Sequence, residues 1–411
     1  MLSLVSKSSY EIWLTSQNLL QELELTDWKS FYTISLSPHT TWMSIVLLLS
    51  YVSLGLVVSR MFNTDLRLRL LLIPIFILSM FEASYGLYQY LSDFGVSNLF
   101  YKNIATGTFI NRNNYAGLME MTIPLILGYT LSLFTWNNNR SYLKNITSSD
   151  NFSKQVLLLF ILGLMLLALI FSLSRMGIIA AFLSLIFFWL IHSSITKQKK
   201  GNLWIILFII GIVFLYGLAI GIYPAFERFA SLKDNTPDRV LVWADMLSAV
   251  RDFPVFGTGL GTFSYIYLLY NKSIENPIEF VYAHNDYLQM IIETGIPATL
   301  FLLTSLLLFF RSTYNRIKEL YRSGENLRFY MGLGAMTGVV AILTHSLTDF
   351  NLHIPSNAAY FALLLGIMGA VGNVDKSKRD NSEELSDMTL ETNLTKPRIR
   401  KKLRKKIISE E

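Results

Sequence analysis

No cysteine occurs among the 411 residues of this chain. Disulfides, thiolate metal sites and cysteine nucleophiles are thereby excluded. Charge is also scarce. Asp, Glu, Lys and Arg make up 16% of the residues, against roughly 25% in a soluble protein. Only five histidines are present, and they form no HExxH or similar ligand string. Metal catalysis therefore has no support from sequence spacing. The apolar runs lack the two-residue alternation of a barrel strand, so a membrane β-barrel does not fit. Residues 1–40 contain only short apolar pieces, with Glu11, Glu22, Glu24 and Asp27 scattered through them, and do not read as a signal peptide.

What the chain has in abundance is apolar length. Hydrophobic residues make up 52% and the mean hydropathy is +0.41. Runs near 41–58, 70–90, 113–136, 155–172, 176–194, 203–222, 287–310, 329–349 and 356–374 are long enough, or nearly so, to cross a bilayer. About 20 helical residues cover its roughly 30 Å hydrocarbon core. The expected fold is all-α and polytopic, with about nine spans. Pro74, Pro124 and Pro297 fall inside spans and are expected to bend them.

The positive charges alternate. Gaps 59–69, 137–154, 195–202 and 311–328, with the tail after 375, hold 25 of the 35 Lys and Arg residues. The opposite gaps are poor in them, apart from one long loop at 224–286. The positive-inside rule then puts residues 1–40 and the loop outside and the basic tail, 375–411, in the cytoplasm. The membrane domain runs from 41 to 374. A net charge of +6 placed this way is orientation charge and a tail suited to anionic lipid, not a nucleic-acid surface. Trp42, Trp136 and Trp204 fall near span ends, where an interface belt would put them.

Several residues on the outer side are equipped for chemistry. Arg175 lies in Phe171-Ser172-Leu173-Ser174-Arg175-Met176-Gly177, at the junction of two spans. Its guanidinium can grip a phosphate through paired donors, or snorkel to water from a tight turn. Arg239 follows Pro237-Asp238, a helix-start pattern, and Val240, Trp243, Met246 and Leu247 recur behind it at helical spacing. It fits an anion site at a helix N-terminus, or a surface salt bridge. His284 stands in Ala283-His284-Asn285-Asp286, just before a span. A neutral imidazole there can take a proton from a hydroxyl, or cap the helix. Asp286 can orient it, cap the helix or bind an acceptor. Arg112 adds positive field at the outer start of the third span, and Tyr115 can stack on a sugar. His345 and His353 flank another outer helix end and read as structural. Glu82, Glu120 and Glu293 lie in or near spans, where pairing with arginines is the milder explanation. Gly257-Thr258-Gly259-Leu260-Gly261-Thr262-Phe263 has neither a βαβ context nor the lysine of a phosphate loop, and reads as a tight turn.

Taken in order, Asn111-Arg112-Asn113-Asn114-Tyr115-Ala116-Gly117, Ser174-Arg175-Met176-Gly177, Arg239 with Trp243, Phe256 to Phe263, His284-Asn285-Asp286-Tyr287-Leu288-Gln289 and Glu293-Thr294-Gly295-Ile296-Pro297 resemble the O-antigen ligase and Wzy-type polymerase superfamily of bacterial membrane glycosyltransferases. The likeness covers roughly 100–310. The resemblance implies a GT-C-like fold in the bacterial inner membrane, with its active site facing outside. It implies a polyprenyl-diphosphate-linked glycan donor and a glycan, lipid-core or protein hydroxyl acceptor. Arg175 and Arg239 would hold the donor diphosphate and His284 would activate the acceptor. Arg112, Tyr115 and Asp286 would be substrate-binding. The reaction would be inverting and need neither metal nor cofactor. Nine spans are fewer than the family commonly has, which leaves a helix or two ahead of Met1 open. A lipid-linked glycan flippase is the competing class. It would need charged groups spread along an alternating-access cavity, whereas the candidates here gather on one face. Protein O-oligosaccharide transfer is the nearest alternative within the chemistry.

Overall fold

The computed structural model describes residues 35–92, 104–133, 152–197, 236–272 and 280–372. Among these residues the regular elements are helical, and no strand occurs. In chain order they are α1 (Pro38–Met61), α2 (Asp65–Ser92), α3 (Arg112–Ser132), α4 (Phe152–Phe171), α5 (Arg175–Thr196), α6 (Thr236–Asp252), α7 (Phe263–Tyr270), α8 (Asp286–Arg322), α9 (Asn326–His345) and α10 (Pro355–Gly372). Seven of them, α1, α2, α4, α5, α8, α9 and α10, are long and apolar enough to cross a membrane. The chain is therefore an all-α, multi-pass membrane protein. The expected span at 203–222, the segment 1–34 and the tail lie outside the described residues.

α3 covers most of the expected span at 113–136 but is a different kind of helix. Every residue from Asn114 to Gly128 is buried. A helix covered on all sides is core, not lipid-facing surface. It lies against α9, where Gly128, Gly334 and Gly338 let the backbones approach. A Cβ on Gly334 would stand 2.6 Å from the Pro124 carbonyl oxygen. α1 is the opposite case. Trp42, Met43, Leu49, Val52 and Leu56 are all exposed along it. In lipid this apolar surface has its natural solvent.

Of the three span prolines, Pro74 and Pro124 lie inside continuous α2 and α3. α8 does break, at Gly295, two residues before Pro297; the glycine has φ 80° and ψ 166°. A Cβ there would collide with the Val255 carbonyl, so glycine is required both for the dihedral and for the close approach.

The two ends of the bundle differ in charge. One end collects the C-termini of α2, α4 and α9 and the N-termini of α3, α5, α8 and α10. The opposite end holds Arg60, Arg67, Arg69, Lys197, Arg311, Arg316, Lys318 and Arg322. There Arg328 Nε donates to Asp65 Oδ1 at 2.7 Å, and Arg316 Nη1 donates to the Gly372 carbonyl at 2.7 Å. All the candidate residues named above lie at the first end.

Candidate active site

The site is built on the turn between α9 and α10. The sequence expectation ran this span to 349; the helix stops at His345, and Ser346-Leu347-Thr348-Asp349 turns instead. A single 3₁₀ turn, Asn351–His353, follows, and Pro355 opens α10, where its missing N–H costs nothing. Asp349 is buried. Its Oδ1 accepts from the Phe350 N–H at 2.9 Å, and its Oδ2 accepts from Asn113 Nδ2 at the start of α3. Arg239, on the first turns of α6, donates from Nη1 to the Thr348 carbonyl at 2.8 Å. His284 Nδ1 lies 3.6 Å from Asp349 Oδ1. That is beyond a hydrogen bond but within ion-pair reach. Burial works against ionising Asp349, yet His284, His345 and Arg239 outweigh it and hold its pKa below the usual carboxylate range.

His284 is fixed in place by its neighbours. Its φ of 51° is left-handed, a conformation unusual for histidine. The preceding Ala283 is pinned on both sides. Its carbonyl accepts from Trp243 Nε1 at 2.8 Å, and its N–H donates to Gln289 Oε1 at 3.0 Å. Asn285 caps α8 by accepting from the Leu288 N–H at 3.0 Å. The imidazole meets the rings of Phe280 and Phe350 edge-on, at 5.9 and 4.6 Å. Its side chain keeps 20% exposure, so a ligand can reach it.

Arg175 is the first residue of α5, after Leu173 at φ 54° and the N-cap Ser174, which accepts from the Gly177 N–H at 3.3 Å. This turn packs onto the same cluster. A Cβ on Gly177 would stand 2.6 Å from Ala116 Cβ on α3 and 3.4 Å from His345 Cε1. His345 immediately precedes the turn bearing Thr348 and Asp349. The fold thus brings the Arg175 turn, Arg239 and His284 onto one structural corner.

The other expected site residues fall as follows. Arg112 occupies the first turn of α3 beside Asn113 and is partly exposed. Asp286 is buried, with both oxygens engaged. Ser346 Oγ and the Leu352 N–H donate to Oδ2 at 2.7 and 3.1 Å, and His353 Nδ1 lies 2.6 Å from Oδ1. Burial opposes protonation of His353, but Asp286 and the more distant Glu293 outweigh it and raise its pKa. Asp286 therefore ties α8 to the α9–α10 turn, and the carboxylate beside His284 is Asp349. Tyr115 is fully buried, its hydroxyl donating to the Glu82 carbonyl at 3.1 Å. It presents no face on which a sugar could stack.

The remaining local readings resolve as follows. The covered face of α6 is Val242, Met246 and Ala249, continued by Phe253, while Val240 and Leu247 are half-exposed. Among the described residues the span carboxylates meet hydroxyl, amide and histidine partners. Glu82 accepts from Thr108 N and Oγ1 at 3.0 and 2.6 Å, and Glu120 faces His345 Nδ1 at 3.0 Å. Glu293 accepts from the Gly261 and Phe263 N–H groups at 2.8 and 3.2 Å and from Gln289 Nε2 at 3.0 Å. The Gly-rich segment is a tight turn, as expected, and the anion its amides take is a side chain of α8.

Sequence reasoning gave no role to Asp349 or Asn113 and left His353 structural. The signal that marks Asp349 and His353 is the polar string Thr344-His345-Ser346-Leu347-Thr348-Asp349-Phe350-Asn351-Leu352-His353 between two apolar runs; Asn113 has no such signal. Among the described residues no group of three or more His, Asp or Glu side chains is placed to hold a metal ion.

The fold and the corner together define a multi-pass membrane protein with two arginines, a histidine and a buried carboxylate gathered at one end of its helices. Residues 160–303 match the family model described as O-Antigen ligase, and the chain carries a domain of that family. The matched stretch contains Arg175, Arg239, His284 and Asp286 and ends before Asp349. No curated protein matches the chain.

Proposed function

We propose that this protein is a glycosyltransferase that moves a glycan from a polyprenyl-diphosphate carrier to a hydroxyl acceptor in bacterial surface-polysaccharide assembly, as an O-antigen ligase or polymerase does. The observation that carries the reading is the shared corner. Arg239 and His284 reach adjacent residues of one turn, and the Arg175 turn packs against the histidine preceding it. Ile110, Val281 and Leu347, neighbours in sequence of Asn111, Tyr282 and Thr348, are exposed and apolar. They suit a donor whose carrier is a lipid.

In this mechanism Arg175 and Arg239 bind diphosphate oxygens, with Arg112 adding positive field. They oppose the charge that grows as the anomeric carbon–oxygen bond breaks. The acceptor oxygen attacks that carbon from the opposite face, and its proton passes to His284. Asp349 stabilises the imidazolium that results. Asp286 holds the turn through His353 and Ser346. An α-linked donor gives a β-linked product. Diphosphate is a good leaving group, so the step calls for no metal. The charge asymmetry supports an orientation with this corner outside and the basic tail in the cytoplasm.

Reconstitution with a defined lipid-linked glycan and a panel of acceptors, read by product mass and linkage, tests the proposal. Lengthening of the glycan identifies a polymerase; transfer to lipid core or peptide identifies a ligase or a protein O-oligosaccharyltransferase. Glycan that crosses the membrane with its covalent structure unchanged would replace the proposal with a flippase.

A further inference from the structure

The Gly-rich turn and α7 pose a problem that the catalytic corner does not explain. α7 reads Phe263-Ser264-Tyr265-Ile266-Tyr267-Leu268-Leu269-Tyr270 and carries no charged residue. Phe263, Ile266 and Tyr267 are buried in the small core beneath α6. The other face is apolar as well: Tyr265, Leu268 and Leu269 are 54–62% exposed. A helix lying on a wet surface turns polar residues outward. This one does not.

Its placement accounts for the pattern. Tyr265 Oη lies 3.5 Å from Thr40 Oγ1 at the start of α1, and Thr41 Oγ1 donates to the Leu260 carbonyl at 3.0 Å. The next residues of α1, Trp42 and Met43, are 65% and 59% exposed. The apolar face of α7 therefore continues the lipid-facing surface of a spanning helix. The turn before α7 also reaches down the side of α8. Thr258 N–H donates to the Ile292 carbonyl at 2.9 Å, and the Ile296 N–H donates to the Pro254 carbonyl at 2.8 Å. Glu293 is seven residues past Asp286, about 10 Å along the helix axis. Exposed Val255 and Phe256 flank this level, with exposed Ile296 on α8 itself.

Glu293 supplies an independent observation. Backbone amides at an irregular turn need acceptors, and lipid provides none. Here a buried carboxylate takes the Gly261 and Phe263 amides at the start of α7. With both donors taken by protein, the turn needs no water, as a seat in lipid requires.

We infer that Pro254–Tyr270 is a re-entrant shoulder seated in the bilayer, with the exposed face of α7 in the headgroup and upper acyl region of the leaflet at the catalytic end. Its occupant is lipid. Tyr265, an amphipathic ring suited to the headgroup level, stands on that exposed face. Consequently the corner bearing His284 is held beside the lipid surface, not on a projecting domain.

The absence of cysteine makes the test direct. Single L268C and L269C proteins are labelled with a nitroxide in vesicles of phosphatidylethanolamine and phosphatidylglycerol. Collision with oxygen is compared with collision with a water-soluble nickel complex. F301C on the exposed face of α8 gives the lipid reference, and S323C in the α8–α9 turn gives the aqueous one. Both α7 labels should favour oxygen several-fold over the S323C label and approach the F301C value. Labels that respond as S323C does would overturn the inference. So would labels shielded from both reagents with disulfide-linked dimers forming from L268C, since a second copy would then cover the face. The readout needs no glycan, so it stands or falls apart from the proposed reaction.

Discussion

Replacing Asp349 by Asn is the perturbation on which the catalytic reading stands most exposed. The change is nearly isosteric: the turn keeps an oxygen for the Phe350 amide, while the charge and the Oδ2 acceptor of Asn113 Nδ2 are lost. Asp349 Oδ1 is 3.6 Å from His284 Nδ1. At that separation and an effective dielectric constant of about 20, unit charges attract by about 4–5 kcal/mol, an upper bound. Arg239, one residue away at Thr348, and water at the partly exposed imidazole both reduce it. A loss of about 1.5–3 kcal/mol of imidazolium stabilisation remains, and at about 1.4 kcal/mol per decade this is roughly 10–100-fold in turnover. The assay is release of glycan from a lipid-linked donor with acceptor saturating. D349N should lower kcat by that factor, leave donor KM within about threefold and accumulate in the membrane like the parent. Turnover within twofold of the parent, in folded protein, would refute the idea that Asp349 serves His284.

Other outcomes follow from the same geometry. R175A and R239A should each lose about 100-fold or more in turnover, and lysine at either position should recover little, because a point charge cannot reproduce a two-pronged phosphate contact; normal transfer by either lysine variant would contradict that. E293A strands the buried Phe263 amide and the half-buried Gly261 amide and should destabilise the protein by about 2–4 kcal/mol, seen as a lowered melting temperature in detergent. G295A should be comparably damaging, since it forces φ 80° on alanine and drives its Cβ into the Val255 carbonyl. His353 has a raised pKa from its contact with Asp286, so its contribution to stability is whole below the ordinary histidine value of about 6.5 and fades as pH climbs through the raised folded value. The melting-temperature gap between parent and H353Q should accordingly shrink from pH 6 to pH 9; a constant gap would contradict a charged His353.

The spans were legible because lipid imposes a length and an apolar composition that nothing else in a sequence imitates. Seven of the expected runs coincide with helices long and apolar enough to span, α1, α2, α4, α5, α8, α9 and α10; the run at 113–136 is the helix α3, which is not one of them. Depth within the bundle was less legible. α3 is long enough to span but less apolar than α4 and α5, and its burial on all sides comes with glycine contacts to α9 that periodicity does not reveal. Arg175, Arg239 and His284 stood out because charge and imidazole are scarce, with Arg175 and His284 at span ends and Arg239 at a helix start in the outer loop. Asp349 did not, because it meets His284 across 65 positions of chain, and local spacing carries no information about such a pairing. Phase on α6 was misjudged for a related reason. Apolar residues on both faces allow more than one stripe, and the packing of Val242 and Met246 with α7 selects among them.

Central to the account is a donor diphosphate held at the corner where the α9–α10 turn meets α5, α6 and the start of α8. An experimental structure with a non-transferable polyprenyl-diphosphate sugar analogue tests this most directly. The account predicts diphosphate oxygens within hydrogen-bond distance of Arg175 and Arg239, with the His284 imidazole facing the open side of the anomeric carbon. A diphosphate bound at the Arg316–Arg328 end of the helices, or contacting neither Arg175 nor Arg239, would contradict it.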